Sequence, residues 1–472
     1  MYFLGVNGFY LVLLGAAALE MRRHRLRIRE ETRWRVLGSQ VAPTVSMLVP
    51  AHNEGATVAE SVRALLTLQY PRLEVVLVND GSTDETLAAL EGEFGLVAVH
   101  PIYRRQISHE DVRGLYRSTV TPNLVVVDKE NGGKADALNA ALNVASGELV
   151  CAVDADTLIE SDALLRMARP FLHGDDVVAV GGTVRVANGS QVKGGRVRIA
   201  RPPRNALAGI QTVEYLRAFL FGRLGWNRLG GNLIISGAFG LFRRQTVITA
   251  GGYLHETVGE DMELVARLRR QGIEQGTPHR VEFIPDPVAW TEVPETLRVL
   301  GRQRDRWQRG LADVLWRFRD VPLRPRYGTL GLVAFPYFIL VELLAPVIEV
   351  AGLIILGASL ALGAVNGSFA LLFFLAAYGF GMLLSLLTLV LDELSFQPYE
   401  RIRDRLVLVP WAVLESFGYR QLTAYWRLRG LVKYMRGSSD WGVMTRAGFT
   451  PSQDAAPDAA SQVQPDARAA DR

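Results

Sequence analysis

The chain has 472 residues, 49% hydrophobic and 21% charged, and its 45 glycines and 21 prolines exclude both a collagen repeat and a low-complexity polymer. A mean hydropathy of +0.14 is more apolar than a wholly water-facing protein carries, so part of the chain is expected in lipid. Lys and Arg total 52 against 48 Asp and Glu, and the single cysteine, Cys151, excludes an internal disulfide and a cysteine-based zinc site.

Residues 2–19 are uncharged and long enough to span a bilayer, and Arg22, Arg23, Arg25, Arg27 and Arg29 follow at once. Positive charge after the apolar run and none before it reads as an uncleaved anchor, residues 1–20, with its N-terminus outside. Residues 38–325 then have soluble composition. Short apolar runs at 43–50, 73–79, 124–127 and 149–153 alternate with helical periodicity at 57–68 and 135–145. The alternation predicts an α/β domain with a mostly parallel, Rossmann-like sheet covered on both faces. Ligands of such sheets bind beyond the carboxyl ends of the strands, and there the polar motifs fall.

The run Asn79-Asp80-Gly81-Ser82-Thr83 closes the second strand with a tight turn and a helix start, where amides and the Asp80 carboxylate suit a nucleotide. Asn131-Gly132-Gly133-Lys134 opens a helix with a glycine turn and a lysine suited to phosphate or a base edge, without the spacing of a Walker loop. Asp154-Ala155-Asp156 delivers two carboxylates at a strand end, the oxygen-ligand set that holds Mg2+ or Mn2+ against a diphosphate. Gly259-Glu260-Asp261 places carboxylates in a first helical turn, suited either to the helix dipole or to a general base. On a helix Gln303, Arg306 and Trp307 share a face, joining a guanidinium for diphosphate oxygens to an indole for a sugar ring. The same stretch, near 296–318, also suits a basic helix at the membrane surface.

Residues 330–365 form an apolar run of 36 residues broken only by Glu342 and Glu349, about 54 Å as one helix, so it kinks near Pro346 or doubles back. Residues 369–391 are the clearest span, and 406–419, with Glu415, span or lie along the interface. Arg427, Arg429, Lys433 and Arg436 belong on the cytoplasmic side, which requires an even number of crossings after the soluble domain. Residues 330–425 are therefore expected as transmembrane and interfacial helices, and 451–472, rich in Ala, Asp, Gln and Pro, as a disordered tail.

The ordered series PAHNE, NDGSTDET, GGKADALN, DAD, SGAFGLFRR, GED and Q-x-x-R-W resembles the family 2 glycosyltransferases of GT-A fold. Within them it is similar to the membrane-embedded cellulose, hyaluronan, chitin-oligosaccharide and poly-N-acetylglucosamine synthases. The resemblance covers about residues 43–320 with the flanking membrane segments. It implies that Glu54, Asp80, Lys134, Asp154, Gln303 and Arg306 bind the nucleotide diphosphate, and that Asp156 with Asp154 holds the metal. Asp261 would be the base for the acceptor hydroxyl, and Glu260, Ser236, Gly237 and Trp307 would line the acceptor site. The implied protein is a multi-pass enzyme of the inner membrane with a cytoplasmic catalytic domain. It would transfer a sugar from a UDP-sugar, with inversion, to a growing β-linked polysaccharide and pass the product outward, or else add one sugar to a membrane lipid. Residues 104–123 and 189–231 lengthen the usual spacing, the latter is amphipathic, and together they are expected as a membrane-facing collar or a lid. Nucleic acid is excluded as a partner, because the basic residues flank the lipid segments.

Overall fold

The computed structural model describes residues 2–30, 42–154, 157–277, 279–397 and 399–437. Asp156, the first residues of the soluble domain (38–41) and the tail 451–472 lie outside the described residues.

A ten-stranded mixed sheet organises the soluble part, in the order β3-β4-β5-β2-β1-β6-β11-β8-β12-β7. Its centre is parallel: β1 (Val45–Ala51) lies between β2 (Leu73–Asp80) and β6 (Leu149–Val153), and β2 also pairs with β5 (Leu124–Lys129). These strands are buried from end to end or nearly so, because helices cover both faces and every side chain needs an apolar partner. Antiparallel strands extend both sides. At one, β3 (Leu96–Val99) and β4 (Val112–Ser118) add outside β5, so the lengthened stretch 104–123 forms a strand. At the other, β11 (Phe239–Arg243) runs antiparallel between β6 and β8 (Val177–Val186), followed by β12 (Arg280–Thr291) and β7 (Leu158–Ile159). This is the α/β architecture expected of a GT-A domain.

Two helices aim at the carboxyl ends of the central strands. Lys134–Val144 starts from Gly133, whose φ of 85° belongs to glycine, and Glu260–Glu274 starts after Gly259 with Glu260, Asp261 and Glu263 in its first turn. The helix Leu297–Arg317, capped by the Thr296 side chain, brings the Gln303, Arg306 and Trp307 positions to the same end.

The stretch 189–231 folds into a small hairpin of β9 (Gln191–Val192) and β10 (Val197–Ile199), the helix Ala206–Leu216, a π-helical segment Arg217–Arg223 and the helix Leu224–Leu229. The long N-terminal helix Tyr2–Glu30 packs on this region: Leu13 is fully buried, and a Cβ on Gly225 would lie 2.6 Å from the Leu13 carbonyl oxygen. Among the described residues one helix, Gly367–Ser395, is long and apolar enough to cross a bilayer. Leu330–Leu343 and Ala345–Ala361 together form a second such stretch, bent by 47°. The break falls at Leu344, with Pro346 in the first turn of the following helix, where its missing N–H costs nothing. Residues 406–419 are interrupted at Phe417 and Gly418, whose backbone angles are not helical.

Candidate active site

The loops after β1 and β2 hold each other. Asn53 has a φ of 57°, its backbone N–H donates to Ser82 Oγ at 2.9 Å, and its side-chain oxygen accepts from the Thr83 N–H at 2.9 Å. The Glu54 N–H donates to Thr86 Oγ1 at 2.9 Å, which turns the PAHNE segment toward the second loop. Gly81 is required there, because with φ of 62° its Cβ would fall 2.7 Å from the Asn131 nitrogen.

Asp80, the last residue of β2, is buried, and its carboxylate accepts from the N–H groups of Gly132 (3.0 Å) and Gly133 (2.8 Å) and from Lys129 Nζ (2.6 Å). Lys129 Nζ also reaches Asp136 Oδ1 at 2.5 Å, so one enclosed ammonium joins two enclosed carboxylates beneath the glycine turn. Sequence reasoning had no sign of Lys129: a lysine at a strand end is ordinarily solvated, and only the parallel register of β5 on β2 sets it beside Asp80. The Asp80 carboxylate is thereby committed to shaping the Gly132–Gly133–Lys134 turn.

The turn presents Lys134 to two carboxylates, with Nζ 2.7 Å from Asp154 Oδ1 at the end of β6 and 3.2 Å from Glu260 Oε1. Burial works against its ammonium, but Asp154, Glu260 and Asp261 outweigh burial and hold its pKa above the ordinary lysine range. Asp261 follows in the first turn of its helix. Its carboxylate accepts from the Gly237 N–H at 3.1 Å and from the Met262 N–H at 2.8 Å. Burial first, then the neighbouring Glu260 charge, lift the Asp261 pKa to about 6, with the Met262 amide, Lys134 and Arg223 opposing. A carboxylate so placed suits the role of a base near neutral pH.

The helix Leu297–Arg317 closes the far side. Gln303 is buried with its Oε1 lacking a hydrogen-bond partner among the described residues, and Arg306 is partly buried near Glu260, Asp154 and Asp261. Trp307 is 44% exposed, and the guanidinium of Arg304 lies 4.5 Å from its ring centroid, fixing one face of the indole. Arg304 is itself held by Glu214 at 2.6 Å and by the Tyr419 hydroxyl at 3.3 Å.

One cavity of about 2260 Å³ joins these groups: Glu54, Asp80, Lys134, Asp154, Ser236, Gly237, Glu260, Asp261, Gln303, Arg306 and Trp307 all line it. Every described site residue named from the sequence therefore faces one space. The cavity continues past Asp261, beside Arg217 and Arg223, to Glu342, Glu349, Tyr378, Glu415 and Arg420 of the C-terminal helices. Sequence reasoning missed this second wall, whose residues come from segments far apart in the chain.

The oxygen donors suit a hard divalent cation. Asp154 is one-quarter exposed toward the cavity and already faces a cationic group, Lys134 Nζ, at 2.7 Å. Among the described residues no cluster of three or more His, Cys, Asp and Glu side chains forms a self-contained metal site.

Comparison with known proteins identifies the family. The family model described as glycosyltransferase like family 2 matches residues 42–310, and the chain belongs to that family. It is 29% identical over 297 residues to a poly-β-1,6-N-acetyl-D-glucosamine synthase of Staphylococcus aureus strain COL, covering 63% of this chain and 60% of the relative. The Staphylococcus epidermidis protein of the same name is 30% identical over 274 residues, covering 58% and 56%. The chain thus spans about 60% of the length of the curated relatives it matches. Among solved structures, a mannosyltransferase from Pyrobaculum calidifontis in complex with GDP-Man and Mn2+ is 20% identical, covers 90% of this chain and 98% of its own, and has a TM-score of 0.48.

Proposed function

We propose that the protein is a membrane-bound, inverting glycosyltransferase that uses a UDP-sugar at the cytoplasmic face, extends a β-linked polysaccharide and passes the product outward. The observation that carries this reading is the continuous cavity, which runs from the strand-end carboxylates past Asp261 and in among the apolar C-terminal helices. A passage whose lining includes Glu342, Glu349, Tyr378 and Arg420 suits a hydroxyl-rich chain and gives it a route through lipid. The staphylococcal relatives support UDP-N-acetylglucosamine as the first donor to examine.

In this reading Lys134, Gln303 and Arg306 grip the diphosphate, and Asp80 sets the loop that receives the nucleotide. Asp154 and Asp156 would hold a divalent ion, Mg2+ or Mn2+, whose charge offsets that of the departing UDP. Asp261 takes the proton of the acceptor hydroxyl as its oxygen attacks the anomeric carbon. The bond from that carbon to the β-phosphate oxygen breaks on the opposite face, giving one displacement with inversion. Trp307, stiffened by Arg304, offers its free ring face to the acceptor sugar.

The test is UDP release by the detergent-purified protein over a panel of UDP-sugars with Mg2+ or Mn2+, with the product sized. A long polymer from one donor is expected; a single sugar added to lipid would replace the polymerase reading by the lipid one. Asp261→Asn should abolish transfer and retain UDP binding, whereas Asp156→Ala should lose metal-dependent UDP binding. Equal loss of nucleotide affinity in both variants would sink this division of roles.

A further inference from the structure

Arg223 closes the π-helical segment Arg217–Arg223 and lines the cavity beside Asp261. A π-helical turn shifts the side chains that follow it relative to a regular helix, and such turns gather at functional sites. Here the turn lays the Arg223 guanidinium over the Phe219 ring, 4.1 Å from its centroid. Its Nη1 is enclosed and has no hydrogen-bond partner among the described residues. Its companion Arg217, at the other end of the same turn, is by contrast paired with Glu415 at 2.5 Å and with Ser385 Oγ at 3.0 Å. Burial lowers the Arg223 pKa to about 10, with the Asp261 carboxylate opposing.

A guanidinium has five N–H donors and no acceptor, and leaving one unpaired in an enclosed site costs free energy unless a ligand supplies the missing oxygen. The cavity is already well provided with carboxylates that would accept from sugar hydroxyls, among them Glu214, Glu260 and Asp261. A donor-only group among them is matched by an oxygen that accepts; a hydroxyl can instead donate to the carboxylates, a carbonyl oxygen cannot, and an ammonium in the same place is disfavoured.

We infer that Arg223 is a specificity residue of the acceptor site, donating from its guanidinium to the acetamido carbonyl of the terminal N-acetylated sugar while Asp261 addresses the acceptor hydroxyl. The assignment rests on the proposed function, and the experiment separates the two. Binding of N-acetylglucosamine oligomers of β-1,6 linkage, and of their de-N-acetylated forms, is measured by calorimetry on the inactive Asp261→Asn protein loaded with UDP and Mn2+, with and without Arg223→Met. With Arg223 present the acetylated oligomer should bind at least tenfold more tightly. Arg223→Met should remove that preference through a loss for the acetylated oligomer and a gain for the amino form, and Arg223→Lys should restore part of it.

UDP affinity in each variant reports whether the cavity is intact. An equal loss for both oligomers, or lost UDP affinity with unchanged discrimination, would overturn the inference, the second by assigning Arg223 to the diphosphate. Failure of either oligomer to bind with Arg223 in place would overturn it as well. The proposed function is read separately from UDP release by the unaltered enzyme, so turnover without discrimination sinks only the role of Arg223.

Discussion

At the scale of the residue, Asp261 is held in a state that ordinary carboxylates avoid. Two backbone N–H groups orient it, while burial and the Glu260 charge raise its proton affinity. Only the ionised form can accept a proton, so transfer should fall about tenfold per pH unit below about 6 and level off above it, read from kcat/KM between pH 4.5 and 8. A flat profile through that range would remove Asp261 from the role of base. Stability runs the other way. The folded protein holds this proton more tightly than the unfolded chain, so that contribution is complete below about pH 4 and is lost as pH climbs through about 6. Asp261→Asn should therefore raise the stability of the soluble domain at neutral pH, by on the order of 1–3 kcal/mol, while abolishing turnover. Chemical unfolding at neutral and acidic pH would show it as a gain confined to the higher pH.

At the scale of the element, two glycines meet where the turn before Asp261 rests on the helix that carries Arg306. A Cβ on Gly310 would stand 3.2 Å from the Gly259 nitrogen, and one on Gly259 would stand 3.3 Å from the Gly310 oxygen. The turn before Glu260–Glu274 thus rests directly on the backbone of Leu297–Arg317, and no larger residue fits without pushing the two apart. Gly310→Leu should separate Asp261 from Arg306 and lower kcat at least about tenfold, about 1.4 kcal/mol in the barrier, with a smaller effect on UDP affinity. Unchanged kcat would show that this contact does not set the catalytic distance. The opposite side of the same helix is held as closely: a Cβ on Gly430 would meet the Asp305 carbonyl oxygen at 2.6 Å, and Asp305 accepts from Arg309, Arg429 and Lys433.

At the scale of the whole molecule, the apolar helices are tied to the catalytic sheet by buried charge. Arg185 on β8 pairs with Asp392 of the helix Gly367–Ser395 at 2.6 Å, and both side chains are about 5% exposed or less. Arg217 and Glu415 make a second tie across the cavity wall. Removing one partner of such a pair strands the other charge, so Asp392→Ala should cost about 3–5 kcal/mol, measured as a drop in thermal midpoint in detergent. Replacing both partners by apolar residues of similar volume should recover most of it. If the double replacement unfolds as readily as the single one, the pair does more than satisfy itself.

Much of the catalytic end was legible before any coordinates, because its residues sit at strand ends and helix starts where local rules act. The strands at 73–79 and 149–153 form within a residue of their expected limits, and Asp80, Lys134, Asp154 and Asp261 each follow a break in periodicity that places them at the rim of a parallel sheet. Gln303, Arg306 and Trp307 were readable as one face for the same reason, a period of 3.6 residues. What local rules could not supply was partnership across the chain. Lys129 beneath Asp80, Arg304 against Trp307, the pairing of Arg185 with Asp392 and Arg223 over the Phe219 ring depend on register, on helix packing and on a π-helical turn. Residue types and their order determined the family, since motifs at strand ends are local. That one cavity is lined both by the strand-end rim and by the apolar C-terminal helices was decided only by tertiary structure, because a cavity is the space left between segments that no stretch of sequence contains.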